Sequence, residues 1–267
     1  MSSHDESAPS WERWSGAGSA DEHRRLRLIE RAYDDYTIAH LERTGVSRDW
    51  RCLEVGAGAG SIAAWMANRA GAASVTATEL FPEYLAGVSE LGVRVLRHDV
   101  TVDPPIGTDF DLIHARLVLE HLRARDQVVE RLASWLVPGG WLVIEDVAFV
   151  PAIAVRPALR RLEEVWLELA TSMVGTDLTW ARTFPLPLDR AGLTETAAEI
   201  SAPVLRGGSA AAIAFEASVR VGVPAMLAAG TISAEELEEV YALCADPSVV
   251  DYSYQVHVAW GRRPPAP

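Results

Sequence analysis

Apolar positions along this chain switch repeatedly between a helical period and an alternating one. Over residues 21–43 they recur at helical spacing, with Leu26, Ile29, Tyr33, Tyr36 and Leu41 near one face and Gly45 as a stop. A short apolar run at 51–55 leads into three glycines, and a second helical pattern follows with Ile62, Trp65, Met66 and Ala70. Strand-like runs then appear at 74–79, 93–97 and 110–114. A helix with Val128, Val129, Leu132 and Leu136 is expected to end at Pro138-Gly139-Gly140, ahead of a fifth strand at 141–146. Strands alternating with helices predict a mostly parallel sheet covered on both faces.

Beyond residue 150 the pattern changes. Pro157 opens a helix whose Leu159, Leu162, Trp166, Leu169 and Met173 form a seam, a stripe that reads as core more readily than as a ligand box. A loop with Trp180, Arg182, Phe184, Pro185 and Pro187 precedes a strand-like stretch at 196–205 and Gly207-Gly208. Roughly forty residues then read as two helices, the second opened by the capping box Ser233-x-x-Glu236. The last strand alternates most clearly, with Tyr252, Tyr254, Val256, Val258 and Trp260 on one face and Ser253, Gln255, His257 and Ala259 on the other. Residues 1–20 are Ser/Gly-rich and read as a flexible arm, with Trp11 and Trp14 either docking on the core or folding over a ligand.

Composition removes several classes. The 267 residues carry 24 cationic and 37 acidic side chains, a formal net charge of −13, which disfavours a phosphate-tracking surface and so nucleic acid as partner. Every one of those cations is Arg, so a P-loop, a pyridoxal-phosphate Schiff base and a kinase strand lysine are all impossible. Cys52 and Cys244 are too isolated for a zinc cluster, no metal is expected, and Cys52 reads as a small buried hydrophobe. No stretch looks long and apolar enough to span a bilayer; a cytoplasmic protein without a membrane partner is the expectation, and a homodimer stays open.

The chemistry concentrates at Glu54-Val55-Gly56-Ala57-Gly58-Ala59-Gly60-Ser61. A strand, a Gly-rich turn and a helix let a ligand lie on bare backbone near a helix N-terminus. The G-x-G-x-G spacing differs from the G-x-G-x-x-G of dinucleotide sites, and Glu54 suits a ligand ammonium better than a pyrophosphate. Here the sequence resembles the class I S-adenosylmethionine-dependent methyltransferases, whose first motif is acid-x-G-x-G-x-G. The segments Phe110-Asp111-Leu112-Ile113-His114 and Leu136-Val137-Pro138-Gly139-Gly140-Trp141-Leu142-Val143-Ile144-Glu145-Asp146 resemble that family as well, so the resemblance covers about residues 21–148.

The resemblance implies a doubly wound, seven-stranded Rossmann-like α/β sheet with an N-terminal helix and C-terminal helical insertion. The methyltransferase domain would occupy residues 21–267, with helical additions at 151–190 and 209–246 as a candidate acceptor lid. The cofactor would be S-adenosyl-L-methionine, held by Glu54, Gly56, Gly58, Gly60 and Ser61. Glu79 would grip the ribose, with Leu80 beside the adenine and Asp99 and Val100 at its amino group, while Ala115 and Arg116 would lie near the methionine part. The implied activity is methyl transfer to a small organic acceptor, secondary metabolites included. A non-methylating, cyclase-like catalyst and an NAD-dependent oxidoreductase are the alternatives. Acid–base candidates at the carboxyl ends of strands four and five are His121, Glu120 and Asp146, His121 first because an unperturbed imidazole titrates near neutrality. Tyr36, Trp180 and Arg182 are the acceptor-side candidates, Arg182 able to hold a carboxylate or to pair with surplus acids.

Overall fold

The computed structural model describes residues 15–252 and 254–265; Trp11, Trp14 and Ser253 lie outside that range. Strands β1 (Cys52–Val55), β2 (Val75–Glu79), β3 (Arg94–Arg97), β4 (Phe110–Arg116), β5 (Leu136–Phe149) and β6 (Thr194–Ser201) join a last strand, β9 (Tyr254–Arg262), in a seven-stranded sheet. Its order is β3-β2-β1-β4-β5-β9-β6. The first five strands are parallel, and β9 runs antiparallel between β5 and β6. Two short strands, β7 (Leu205–Arg206) and β8 (Val250–Asp251), pair separately. The order reverses at β1/β4, the point where open α/β sheets hold their ligands outside the carboxyl ends of the strands. The sheet is therefore the doubly wound, seven-stranded Rossmann-like sheet expected from the sequence.

Helix α1 (Ala20–Arg43) begins at Ser19, whose hydroxyl accepts from the Glu22 N–H, with Asp21 and Glu22 in the first turn. Next come α2 (Ser61–Ala70), α3 (Ala86–Glu90) and α4 (Arg125–Ser134). On one sheet face, Leu53, Ile113, Leu142 and Ile144 pack with Val128, Val129 and Leu132 of α4. On the other, Cys52, Leu112 and Val143 pack with Leu41 of α1 and Ile62 and Met66 of α2. Burial raises both thiols, Cys52 and Cys244, to about 12, so each behaves as an inert core residue.

A third core lies beyond the sheet's carboxyl edge. Helices α5 (Pro157–Leu169), α7 (Ala210–Ala228) and α8 (Ala234–Ala245) contribute Leu162, Trp166, Phe215, Val219, Leu237 and Val240 to it. Between α5 and α7 sits the short α6 (Leu186–Arg190). The Ser233–Glu236 capping box forms in full at the start of α8.

Three sequence expectations shift. The helix expected to run to Pro138 ends at Ser134, and Leu136 already pairs with Phe110 as part of β5. Gly139 supplies a turn there with φ 84, while its N–H donates to Arg263 O. Met173 leaves the α5 seam because residues 170–174 form a wider turn, which turns it to solvent. Helix α7 is, by length and composition, apolar enough to cross a bilayer, the single such helix among the described residues, where the sequence reading expected none. Its Glu216 and Arg220 pair with each other at 2.7 Å, while Ala212, Phe215, Val219 and Met226 are buried in the third core.

Candidate active site

A cavity of about 840 Å³ opens at the carboxyl ends of β1, β2 and β4 and extends under α1, α5 and α7. Its first half is built from the glycine turn. Gly56, Gly58 and Gly60 all take positive φ (61°, 57° and 96°), but their surroundings differ. Gly56 and Gly58 line the cavity and Gly60 does not. A Cβ on Gly60 would collide with Val88, so this glycine serves the packing of α2 against α3.

Sheet register explains Glu54. It lies directly beside His114 on β4, so both side chains emerge on one face, and His114 Nδ1 lies 2.8 Å from Glu54 Oε2. Both are buried, and Glu54 also borders the cavity. Glu79, at the end of β2, accepts from Gly58 N–H (3.0 Å) and Leu80 N–H (2.7 Å), which ties the acid to the glycine turn. Asp99 accepts from both the N–H (2.8 Å) and the hydroxyl (2.5 Å) of Thr101, so it shapes the turn after β3 as well as lining the cavity. Leu80, Val100 and Arg116 line it too.

Ser61 takes a different place. Its N–H donates to Glu30 (2.9 Å) and its hydroxyl to Asp34 (3.0 Å), both on α1. The N-terminus of α2 is thus capped by the protein's own carboxylates, where a nucleotide-binding turn would receive phosphate. Asp34 also meets Arg116 (3.0 Å), and Arg116 donates to Thr37 (2.9 Å), which donates to Glu145. This chain of contacts fixes α1 across the ends of β4 and β5. Ser61 and Gly60 stand off the cavity wall, and Ala115 is core beneath it.

The second half of the cavity is mostly aromatic and aliphatic. Phe149, Trp166, Phe215 and Tyr254 contribute rings, with Phe215 stacked on Tyr254 at 5.9 Å and Phe149 edge-on to Trp166 at 5.8 Å. Three polar groups interrupt it. Arg25 holds Glu22 with two 2.7 Å bonds and donates to Ser218 on α7 (3.2 Å), joining the two helices that roof the site. Tyr33 and Tyr254 meet hydroxyl to hydroxyl. Glu120 accepts from Val147 N–H (3.0 Å), with His121 beside it.

Electrostatics reverse the ranking of His121 and Glu120. Burial, then the charges of Arg25 and Arg125, lower His121 to about 3, so it is neutral at working pH and a feeble base. Its Nδ1 lies 3.1 Å from Thr176 Oγ1. Burial raises Glu120, partly offset by the Val147 N–H and two arginines, which brings this carboxyl toward the range useful for proton transfer. Asp146 is raised by burial and by the Glu120 charge, but it lies behind the wall rather than on it.

The three acceptor-side candidates fall elsewhere. Tyr36 packs on His40 at 4.4 Å, one helical step away from Tyr33, which does face the cavity. Trp180 is buried against Phe184 and donates to Asp126 (3.0 Å). Arg182 is exposed on the adjoining turn. Glu22, Arg25 and Ser218 were missed. The i,i+3 spacing of the first two was visible, but their meeting with α7 is a tertiary event.

Residues 53–142 match the family model described as a methyltransferase domain. The chain is 34% identical over 131 residues to "Methyltransferase str2" of Strobilurus tenacellus, covering 48% of this chain and 46% of the relative. It is 30% identical over 160 residues to "Methyltransferase GfsG" of Streptomyces halstedii, covering 57% and 55%. The chain thus spans about half the length of the curated relatives it matches. Among solved structures, a geranyl diphosphate methyltransferase in complex with SAM superposes with TM-score 0.58 at 14% identity, covering 96% of each chain. The [4+2]-cyclase SpnF superposes with TM-score 0.56 at 18% identity, covering 87% and 81%. These likenesses are of fold. Sheet order, the acid-x-G-x-G-x-G turn and the matched domain are like those of class I methyltransferases. The match to a methyltransferase domain covers residues 53–142, about a third of the chain.

Proposed function

We propose that this protein transfers a methyl group from S-adenosylmethionine to a small, largely apolar organic molecule. The observation that carries the reading is the two-part cavity. One part is bare glycine backbone ringed by Glu54, Glu79 and Asp99; the other is walled by Phe149, Trp166 and Phe215. The first part fits the cofactor's functional groups: Glu79 for ribose hydroxyls, Asp99 for the adenine amino group, Leu80 and Val100 for the adenine faces, and Glu54 for the ammonium. Arg116 and the Gly56 backbone suit the methionine carboxylate. Bound S-adenosylmethionine supplies a methyl group made electrophilic by its sulfonium.

The protein's own contribution is alignment and exclusion of water, which together can remove a large part of the barrier. The roof of α1 and α7, joined by Arg25 and Ser218, closes the acceptor half. Glu120 is the residue placed to take a proton from an acceptor, and His121 supports it as a neutral neighbour. Natural-product metabolites are the acceptor class favoured by the aromatic lining.

Incubation of the protein with methyl-labelled S-adenosylmethionine and an extract of its source cells tests the reading. Label is expected in the small-molecule fraction, and a Glu79→Ala variant should reduce it. Label confined to protein or nucleic acid would overturn the acceptor class. A cofactor that binds without any transfer would favour the non-methylating alternative that the SpnF fold keeps in view.

A further inference from the structure

We propose that the Tyr33–Tyr254 hydroxyl pair is the acceptor-recognition point of this cavity, and that it selects a neutral hydroxyl on an apolar body over an amine or a carboxylate. The inference rests on the methyltransferase reading and deepens it by naming the acceptor's reacting group. Tyr33 comes from α1 and Tyr254 from β9, so two distant parts of the chain bring their hydroxyls together at the cavity wall. Tyr33 feels the charges of Arg116 and Glu145, which places the pair near the carboxyl ends of β4 and β5, close to the glycine-lined half. Tyr254 continues into the aromatic wall through its stack on Phe215.

Two hydroxyls bonded to each other retain one donor hydrogen and free lone pairs between them. They can therefore donate to an acceptor oxygen and receive its hydrogen, which is the hydrogen-bonding complement of another hydroxyl. Burial raises Tyr33, and it raises Tyr254 to about 12, so neither becomes the phenolate that an ammonium would seek.

Three charged side chains of the wall have partners within the protein. Glu22 is bound twice by Arg25, Glu120 accepts from the Val147 N–H, and Arg116 is held by Thr37 and Asp34. An ammonium or carboxylate entering the aromatic half would lose its hydration and have to displace one of these internal pairs. That cost is heavy for any buried charge. A hydroxyl meets no such demand.

Equilibrium dialysis with matched probes tests the assignment in the presence of S-adenosylhomocysteine. The probes are 1-naphthol, 1-naphthylmethylamine, 1-naphthoate and naphthalene. The hydroxyl probe should bind about tenfold or more tighter than either charged probe and about fivefold tighter than naphthalene, the scale of one or two net hydrogen bonds. Tyr33→Phe and Tyr254→Phe should each erase the advantage over naphthalene while leaving S-adenosylhomocysteine affinity within about twofold.

Tighter binding of either charged probe would overturn the proposal, as would absent or equal binding of 1-naphthol. Variants that keep the full hydroxyl advantage would do the same. If both variants fail to fold, the ranking of probes on the unaltered protein still decides. Failure to bind S-adenosylhomocysteine would sink the methyltransferase reading itself, which separates the two outcomes.

Discussion

At Glu79 one partly exposed carboxylate gathers the backbone N–H groups of Gly58, Leu80 and Phe81 at the mouth of the glycine turn. Glu79→Ala should therefore weaken S-adenosylhomocysteine about tenfold in calorimetric titration, because hydrogen bonds to a charged group are worth roughly 1.5–3 kcal/mol. Ser61→Ala should change that affinity by less than about twofold, since its hydroxyl is spent on Asp34 rather than on a ligand. His121 and Glu120 predict opposite pH signatures. His121 is lowered to about 3 in the folded protein, so below its ordinary 6.5 the unfolded chain binds the extra proton and stability falls with pH. In His121→Gln the midpoint of thermal unfolding, relative to the unaltered protein, should move in the variant's favour as pH drops from 7 to 5. Glu120 is raised on folding, so it favours the folded state at low pH and opposes it as pH climbs through its folded value. Glu120→Gln should gain relative to the unaltered protein as pH rises from 6 to 9. Identical slopes in all three proteins would contradict both assignments.

The elements that the sequence disclosed are those whose pattern is local. Helix α1, the glycine turn, β2, β4 and the capped α8 follow from periodicity, turn residues and caps, and each lies near its expected place. The acids at strand ends were visible for the same reason, since a carboxylate closing an apolar run is a local feature. The acceptor half was not legible, because it is assembled by helices distant in sequence. Tyr33 instead of Tyr36, and Phe215 and Ser218 instead of Trp180 and Arg182, face the cavity only through the way α1 and α7 cross. Within the glycine turn, too, the motif treats as equal three residues that the structure separates. Gly60→Ala places a methyl group into Val88 at φ 96°, and should lower stability by about 2 kcal/mol or more, strain and clash together. Gly58→Ala meets only Leu26, at 3.6 Å, and should cost about 1–2 kcal/mol for its φ of 57° while narrowing the ligand channel. Urea unfolding and cofactor titration on both variants check the contrast: Gly60→Ala is mainly a stability variant and Gly58→Ala mainly a binding one.

For the whole molecule, three cores meet around one cavity, so a ligand there touches the sheet edge, α1 and the C-terminal helices at once. A ligand that binds only the folded state adds about 2.7 kcal/mol at one hundred times its dissociation constant. For a chain of this size that raises the unfolding midpoint by about 5–10 °C. S-adenosylhomocysteine at that excess should produce such a shift. NADH at the same concentration should produce less than about 2 °C, the equivalent of under 1 kcal/mol. Its pyrophosphate would confront Glu54, Glu79 and Asp99, and the helix N-terminus that could neutralise it is already capped by Glu30 and Asp34. The same carboxylates that repel a pyrophosphate suit an amino group and ribose hydroxyls, so the discrimination is a property of the charge arrangement rather than of the glycines. Equal shifts with both ligands would mean that the glycine turn alone governs recognition, and the oxidoreductase alternative would then stand level with the methyltransferase.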